Sequence, residues 1–232
     1  VKVLFLAAEA VPLVQVGGLG DVAGSLPRAL QELGHEVRVA IPDSTPVERS
    51  GFSPRPIARF EVPAGSGRQT ATASEVDAGG NRFLLVGGAP IPRDGRVYGS
   101  GIGEDGPKFA FFSRAALEMC RALGWKPDLL HAHDSHAAPA AAWLATAGAE
   151  DPFFRETASL LTIHNLPYMG NGAGAALASY GLPVDGDGLP GWARGSLLAV
   201  GIAHADEIST VSPTYAREIL TPEFGCGLDG LL

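Results

Sequence analysis

A chain of 232 residues that is 46% hydrophobic and 18% charged can bury a full core, as one large domain or two small ones. Seventeen Lys and Arg against 25 Asp and Glu give a net charge of −8, which argues against a nucleic-acid partner, for which a basic face is expected. Cys120 and Cys226 stand far apart, with no paired metal spacing, no signal peptide precedes the first strand, and no apolar run is long enough to span a bilayer, so a soluble protein of a reducing cytoplasm with no membrane partner is expected.

Alternating strand and helix patterns run from end to end, as expected of one α/β unit. The chain opens on Val1, already inside a strand, as a processed or trimmed piece would. Val3 to Ala8 is a continuous apolar run, the pattern of a strand covered on both faces. The stretch Gln15-Val16-Gly17-Gly18-Leu19-Gly20-Asp21-Val22 joins it to a helix expected over 21–33, with Leu26, Ala29, Leu30 and Leu33 facing inward and Pro27 bending it. Adjacent glycines allow close approach of a ligand to the main chain, and a helix start suits an anion such as phosphate. A tight strand-to-helix turn needing no ligand reads equally well, since G-G-x-G is not the dinucleotide fingerprint.

Gly34 is expected to cap this helix before a strand over 36–41, giving a right-handed parallel crossover. Residues 44–107, rich in Gly, Pro and Ser, carry strand-like pieces near 57–62, 70–76 and 82–86. They predict an antiparallel or edge excursion within about 55–87, then a mobile loop around 93–106. Helical spacing returns over 108–123. A strand over 128–131, an alanine-rich helix over 137–147 and a strand over 159–163 follow. Next come a helix around 196–203, a strand at 207–210, and a helix opened by Pro213 at its first position. The predicted architecture is a doubly wound, mostly parallel Rossmann-like sheet, whose ligands sit beyond the carboxyl ends of its strands.

Two further clusters fall at such strand ends. In His131-Ala132-His133-Asp134-Ser135-His136, histidines at i and i+2 share one side of a strand, as metal ligation would require. A metallo-β-lactamase pattern, H-x-H-x-D-H, needs its acid one residue later, and no further His–Asp pair completes a ligand set. The better reading aims Asp134 and His136 at a neutral polar ligand such as a sugar. In Thr162-Ile163-His164-Asn165-Leu166-Pro167-Tyr168-Met169-Gly170, an apolar strand stops abruptly in groups that donate and accept hydrogen bonds.

Together with residues 210–219 and 227–232, these clusters resemble the bacterial glycogen synthases and plant starch synthases, over almost the whole chain and in the order of their amino-terminal, starch-synthase catalytic domain. That resemblance implies one half of a two-domain GT-B glycosyltransferase. Such enzymes move glucose from ADP-glucose, or in some members UDP-glucose, to the non-reducing end of an α-1,4-glucan with retention. They need no cofactor or metal. The partners implied are the sugar nucleotide, the α-glucan and a second domain beyond Leu232, without which the 232-residue piece is expected to be inactive. By the same resemblance, His164 and Asp134 are the catalytic candidates. Gln15, Gly17, Gly18, Asp21, Tyr98 and Asn165 are the substrate-binding ones, with Gly17 and Gly18 approaching the donor diphosphate through backbone N–H groups and Tyr98 closing over it.

The chain departs from the family pattern where Gln15 replaces the lysine of K-x-G-G-L, where Ser135 replaces the tryptophan of H-A-H-D-W-H, and where Ala199 replaces a lysine. Those changes leave a second possibility, a non-catalytic glucan- or nucleotide-binding relative.

Overall fold

The computed structural model describes residues 1–44, 51–94 and 96–232. Residues 45–50 and 95, which fall in the stretches expected as irregular excursion and loop, lie outside the described residues. Eight strands form one sheet: β1 (Lys2–Leu6), β2 (Glu36–Pro42), β3 (Arg55–Ala64), β4 (Gly67–Ala78), β5 (Asn81–Gly88), β6 (Leu129–His133), β7 (Ala158–Ile163) and β8 (Glu207–Thr210). Their order is β3-β4-β5-β2-β1-β6-β7-β8. The run β5-β2-β1-β6-β7-β8 is parallel throughout, whereas β3 and β4 add antiparallel to the β5 edge. Counting only parallel strands in chain order, this is 3-2-1-4-5-6, and its direction reverses between β1 and β6. The antiparallel excursion therefore lies where the sequence placed it. Its second hairpin turns on Gly79 and Gly80, both at positive φ, as a two-residue turn requires.

The parallel strands are buried on both faces, which is why their sequences run apolar without alternation: residues 3–8, in β1 and just after it, are at most 3% exposed. Among the described residues the α-helices are α1 (Gly18–Glu32), α2 (Ile102–Ala122), α3 (Ala138–Ala145), α4 (Gly174–Ser179), α5 (Leu197–His204) and α6 (Pro213–Glu218). On α2, Phe109, Phe111 and Phe112 are fully buried, and with Phe5 of β1 and Phe83 of β5 they are among the largest fully buried side chains of the core. Pro213 opens α6 in its first turn, with the Ser212 side chain accepting from the Tyr215 N–H.

Three expectations change. The first helix begins at Gly18, not Asp21, and its buried residues are Leu19, Gly20, Ala23 and Pro27; Leu26 and Leu30 are half-buried, while Ala29 is exposed and Leu33 is 75% exposed. Its glycines explain the rotation. A Cβ on Gly24 would lie 2.7 Å from the Val11 carbonyl oxygen, so the helix packs through bare backbone against the segment after β1. Second, α2 starts at Ile102 and takes Pro107 into its body; Glu104 and Asp105 in its first turn favour the positive helix end. The irregular stretch thus ends at Gly101 rather than near residue 106. Third, α4 lies in a Gly- and Ala-rich segment with no clear periodicity.

Candidate functional site

Each segment singled out by chemistry leaves the carboxyl end of a strand near the reversal point. Val16 to Gly18 follow β1 and open α1, Asp134 follows β6, and His164 and Asn165 follow β7. They face one cavity of about 950 Å³, walled also by Tyr98, Gly99, Ser100, Ile102, Asp105 and Phe109. Of the eight residues chosen from the sequence, Gly17, Gly18, Tyr98, Asp134, His164 and Asn165 line it; Gln15 and Asp21 do not. Gln15 instead donates from Nε2 to Asp21 Oδ2 at 2.9 Å, both residues being exposed.

Asp134 is the keystone of the β6–β7 side. It is 7% exposed, and its Oδ1 accepts the backbone N–H of His164 at 2.7 Å and of Asn165 at 3.2 Å. Its φ of +54° places it in the left-handed region, which aspartate tolerates better than most residues. Burial raises its pKa, while the two N–H groups work in the opposite direction. Beyond it, the loop carrying His164 to Gly170 is held down by Ser196, whose Oγ donates to the Met169 carbonyl at 2.8 Å, and by the Tyr215 hydroxyl, which accepts the Leu166 N–H at 2.9 Å. Gly170 has φ +67° and sits so close to Leu197 that a Cβ would lie 2.8 Å from its Cδ1.

The histidines form a neutral group. His131 Nε2 lies 2.7 Å from Thr162 Oγ1, which is in turn 2.8 Å from Ser209 Oγ, so one polar relay crosses β6, β7 and β8. Burial lowers the His131 pKa to about 4 and that of His136 to about 3, and holds His133 and His164 below the ordinary imidazole value. Among the described residues, no three His, Cys, Asp or Glu side chains are grouped so as to hold a metal. The paired histidines of β6 face inward against Phe5 rather than outward to an ion.

Glu9 was not singled out from the sequence, yet it organises the other side. Only 1% exposed, its carboxylate accepts the N–H groups of Val16 and Gly17, the latter at 3.0 Å, and the Tyr98 hydroxyl at 3.0 Å. It ties together two loops 89 residues apart. The signal was a lone carboxylate in the otherwise apolar run from Val3 to Ala10. Its position also revises the expectation for the glycine loop. The Gly17 N–H is already engaged, and that of Gly20 bonds the Gly17 carbonyl at 3.2 Å, which leaves the N–H groups of Gly18 and Leu19 for an anion.

Tyr98 is fixed from behind as well. Lys108, 3% exposed, donates from Nζ to the carbonyl oxygens of Arg96 at 3.1 Å and Val97 at 2.5 Å, and Asp105 Oδ1 accepts the Gly99 N–H at 2.8 Å. The ring packs against His136, with centroids 5.0 Å apart. Burial first, then the Glu9 carboxylate, raises the phenol pKa, so Tyr98 stays protonated and donates.

Replacing Glu9 by Gln keeps one acceptor oxygen but removes the charge and the second. Amide exchange at Val16 and Gly17 should quicken about tenfold or more. Unchanged exchange there would mean that other contacts hold the loop.

A doubly wound parallel sheet with its cavity at the reversal point, flanked by a glycine-rich helix start and a polar strand-end loop, is the Rossmann-like architecture of one half of a GT-B glycosyltransferase. The chain belongs to the family described as starch synthase catalytic domain, whose model matches residues 2–232. It is similar to a glycogen synthase of Streptococcus pneumoniae (strain ATCC 700669 / Spain 23F-1), at 38% identity over 240 residues, which cover 100% of this chain and 49% of that protein. The glycogen synthase of strain Hungary19A-6 is 37% identical over the same coverage. Among solved structures, the catalytic domain of starch synthase IV from Arabidopsis thaliana, bound to ADP and acarbose, superimposes with a TM-score of 0.88 at 29% identity. That match covers 99% of this chain and 48% of the plant chain. The chain thus spans about half the length of the relatives it matches.

Proposed function

We propose that this chain forms the amino-terminal wall of a glycogen synthase, which transfers glucose from ADP-glucose to the non-reducing end of an α-1,4-glucan with retention. The observation that carries this reading is the convergence of Gly18, Tyr98, Asp134 and His164, remote in sequence, on one cavity. The family match and the plant structure bound to ADP and acarbose support it. Asp134 holds the backbone of His164 and Asn165 in place; His164 and Asn165 offer hydrogen bonds to sugar hydroxyls; the start of α1 faces the diphosphate; Tyr98 closes the donor side. Positioning and electrostatic stabilisation of the departing diphosphate and the cationic sugar supply the catalysis.

The described residues lining the cavity include Glu9, Asp105 and Asp134 but no lysine or arginine, and the histidines are neutral at pH 7. The positive charge that meets a diphosphate therefore comes from a second GT-B domain, and the 232-residue chain alone is inactive. No cofactor takes part, since ADP-glucose is itself the donor, and the enzyme works in the cytoplasm. Among the described residues, no helix is long and apolar enough to cross a membrane.

The test is incorporation of radiolabelled glucose from ADP-glucose into glycogen. A protein joining this chain to its second domain should turn over, with and without EDTA, and its product should be released by an α-1,4-specific glucosidase. The chain alone should not turn over. Saturable glucan or nucleotide binding with no turnover in the two-domain protein would instead establish a non-catalytic relative.

Gln15→Lys separates these readings further. A lysine at this position can pair with Asp21 as well as with phosphate, so the gain is limited: donor KM should fall about tenfold in an active parent. A KM unchanged within error would show that this position does not reach the diphosphate.

A further inference from the structure

His133 stands behind the site and is used by none of the roles above. It has no solvent exposure, its ring stacks on Phe5 with centroids 4.1 Å apart, and its Nδ1 lies 2.8 Å from His164 Nε2. Its other nitrogen, Nε2, is buried without a partner. His164 is thus restrained twice, its backbone N–H by Asp134 at 2.7 Å and its ring by His133. Both rings are kept neutral at pH 7 by burial.

Between two neutral imidazoles, one facing nitrogen carries the hydrogen and the other the lone pair. If His164 Nε2 donated, His133 would carry its hydrogen on Nε2, a buried N–H with nothing to receive it. If His133 Nδ1 donates, every N–H of the pair is used or faces the cavity, and the only unpaired atom is a bare ring nitrogen. Buried N–H groups without acceptors are the rarer defect in folded proteins.

We propose that His133 is a positioning residue that fixes His164 in its Nδ1–H tautomer, so that His164 presents a hydrogen-bond donor, not an acceptor, to the ligand cavity. The ligand group met there must then offer a lone pair, as a sugar hydroxyl oxygen does. This consequence rests on the sugar site proposed above, but the tautomer itself does not. The relation between ring orientation and the hydrogen bond at the far nitrogen is the one by which buried partners select the working tautomer of histidines elsewhere.

The experiment is a long-range 1H–15N correlation spectrum of the 232-residue chain with 15N-labelled histidine, at pH 7 and without ligand. It should show His133 and His164 each as a single Nδ1–H tautomer. An Nε2–H pattern for His164, or a rapidly exchanging mixture, overturns the proposal at once. His133→Phe preserves the stack on Phe5 and removes the donor, and should turn His164 into a tautomer mixture. His133→Asn, whose side-chain amide N–H sits near the Nδ1 position, should restore the Nδ1–H form. A single Nδ1–H tautomer retained in His133→Phe would show that His133 does not set it. Should either variant fail to fold, the spectrum of the unaltered chain still decides. Absence of glucosyl transfer by the two-domain protein, with these tautomers present in the chain, would refute the proposed function and leave this inference standing.

Discussion

On the proposed function, Asp134→Ala is expected to lower glucosyl transfer by the two-domain protein by about a hundredfold or more, because the cavity wall loses the group that sets the backbone of His164 and Asn165. The same change should destabilise the chain by about 2–4 kcal/mol. Two buried or half-buried N–H groups lose a charged acceptor, and alanine replaces a residue held at φ +54°. For a chain of this size the melting temperature should fall by about 5–15 °C. Asp134→Asn separates geometry from charge, since its side-chain oxygen still accepts both N–H groups and asparagine tolerates the left-handed region. Its stability should stay within about 1 kcal/mol of the parent while much of the rate is lost. Thermal denaturation and kcat of the two variants check this. Equal melting temperatures for Ala and Asn would show that the two N–H groups find other acceptors.

Acid should unfold the chain early. His131, 6% exposed, has its pKa lowered to about 4, and His136, half-buried between Tyr98 and Phe109, to about 3, against an ordinary imidazole value near 6.5. Below about pH 6.5 the unfolded chain takes up protons that the folded chain refuses, so stability falls as pH falls. It is fully present above the unfolded value and is lost down to the folded values. Between pH 6.5 and 4.5 each such histidine costs about 2 kcal/mol, and the more accessible His136 less, so the pair removes about 3–4 kcal/mol. His133, fully buried, acts in the same direction. Denaturant titrations at several pH values measure the slope. A flat profile over this window would mean that the rings admit protons without unfolding.

The sequence made the sheet legible because doubly covered parallel strands are written as short apolar runs, and β1, β2, β6 and β7 lie within two residues of the expected spans. The strands β3, β4 and β5 fell on the strand-like pieces expected near 57–62, 70–76 and 82–86, although the Gly79-Gly80 turn between the last two was not singled out. Helix faces were harder. Counting leucines pointed α1 inward through Leu26, Ala29, Leu30 and Leu33, but the helix packs through Gly20 and Gly24, whose missing side chains carry no hydropathy signal. The start of α2 hid in Gly101 to Pro107, where breakers outvote the two acids that favour a helix start. In the site, Asp134, His164 and Asn165 could be picked out because strand ends are where chemistry gathers, whereas Tyr98, in the loop before α2, came only from the family resemblance. Glu9 escaped, and His133 was weighed only as a metal ligand, because each bonds another protein group from inside the core, over 89 and 31 residues of chain. Such partnerships exist only after folding.

The most direct measurement is an amide chemical-shift map of the 232-residue chain titrated separately with maltotriose and with ADP-glucose. If the strand ends form one receptive surface, saturable shifts should cluster at Gly17–Leu19, Tyr98–Gly101, Asp134–His136 and His164–Asn165. Saturable shifts confined to other surfaces, such as the groove at Asp77–Arg82 on the far end of the strands, would contradict that surface outright.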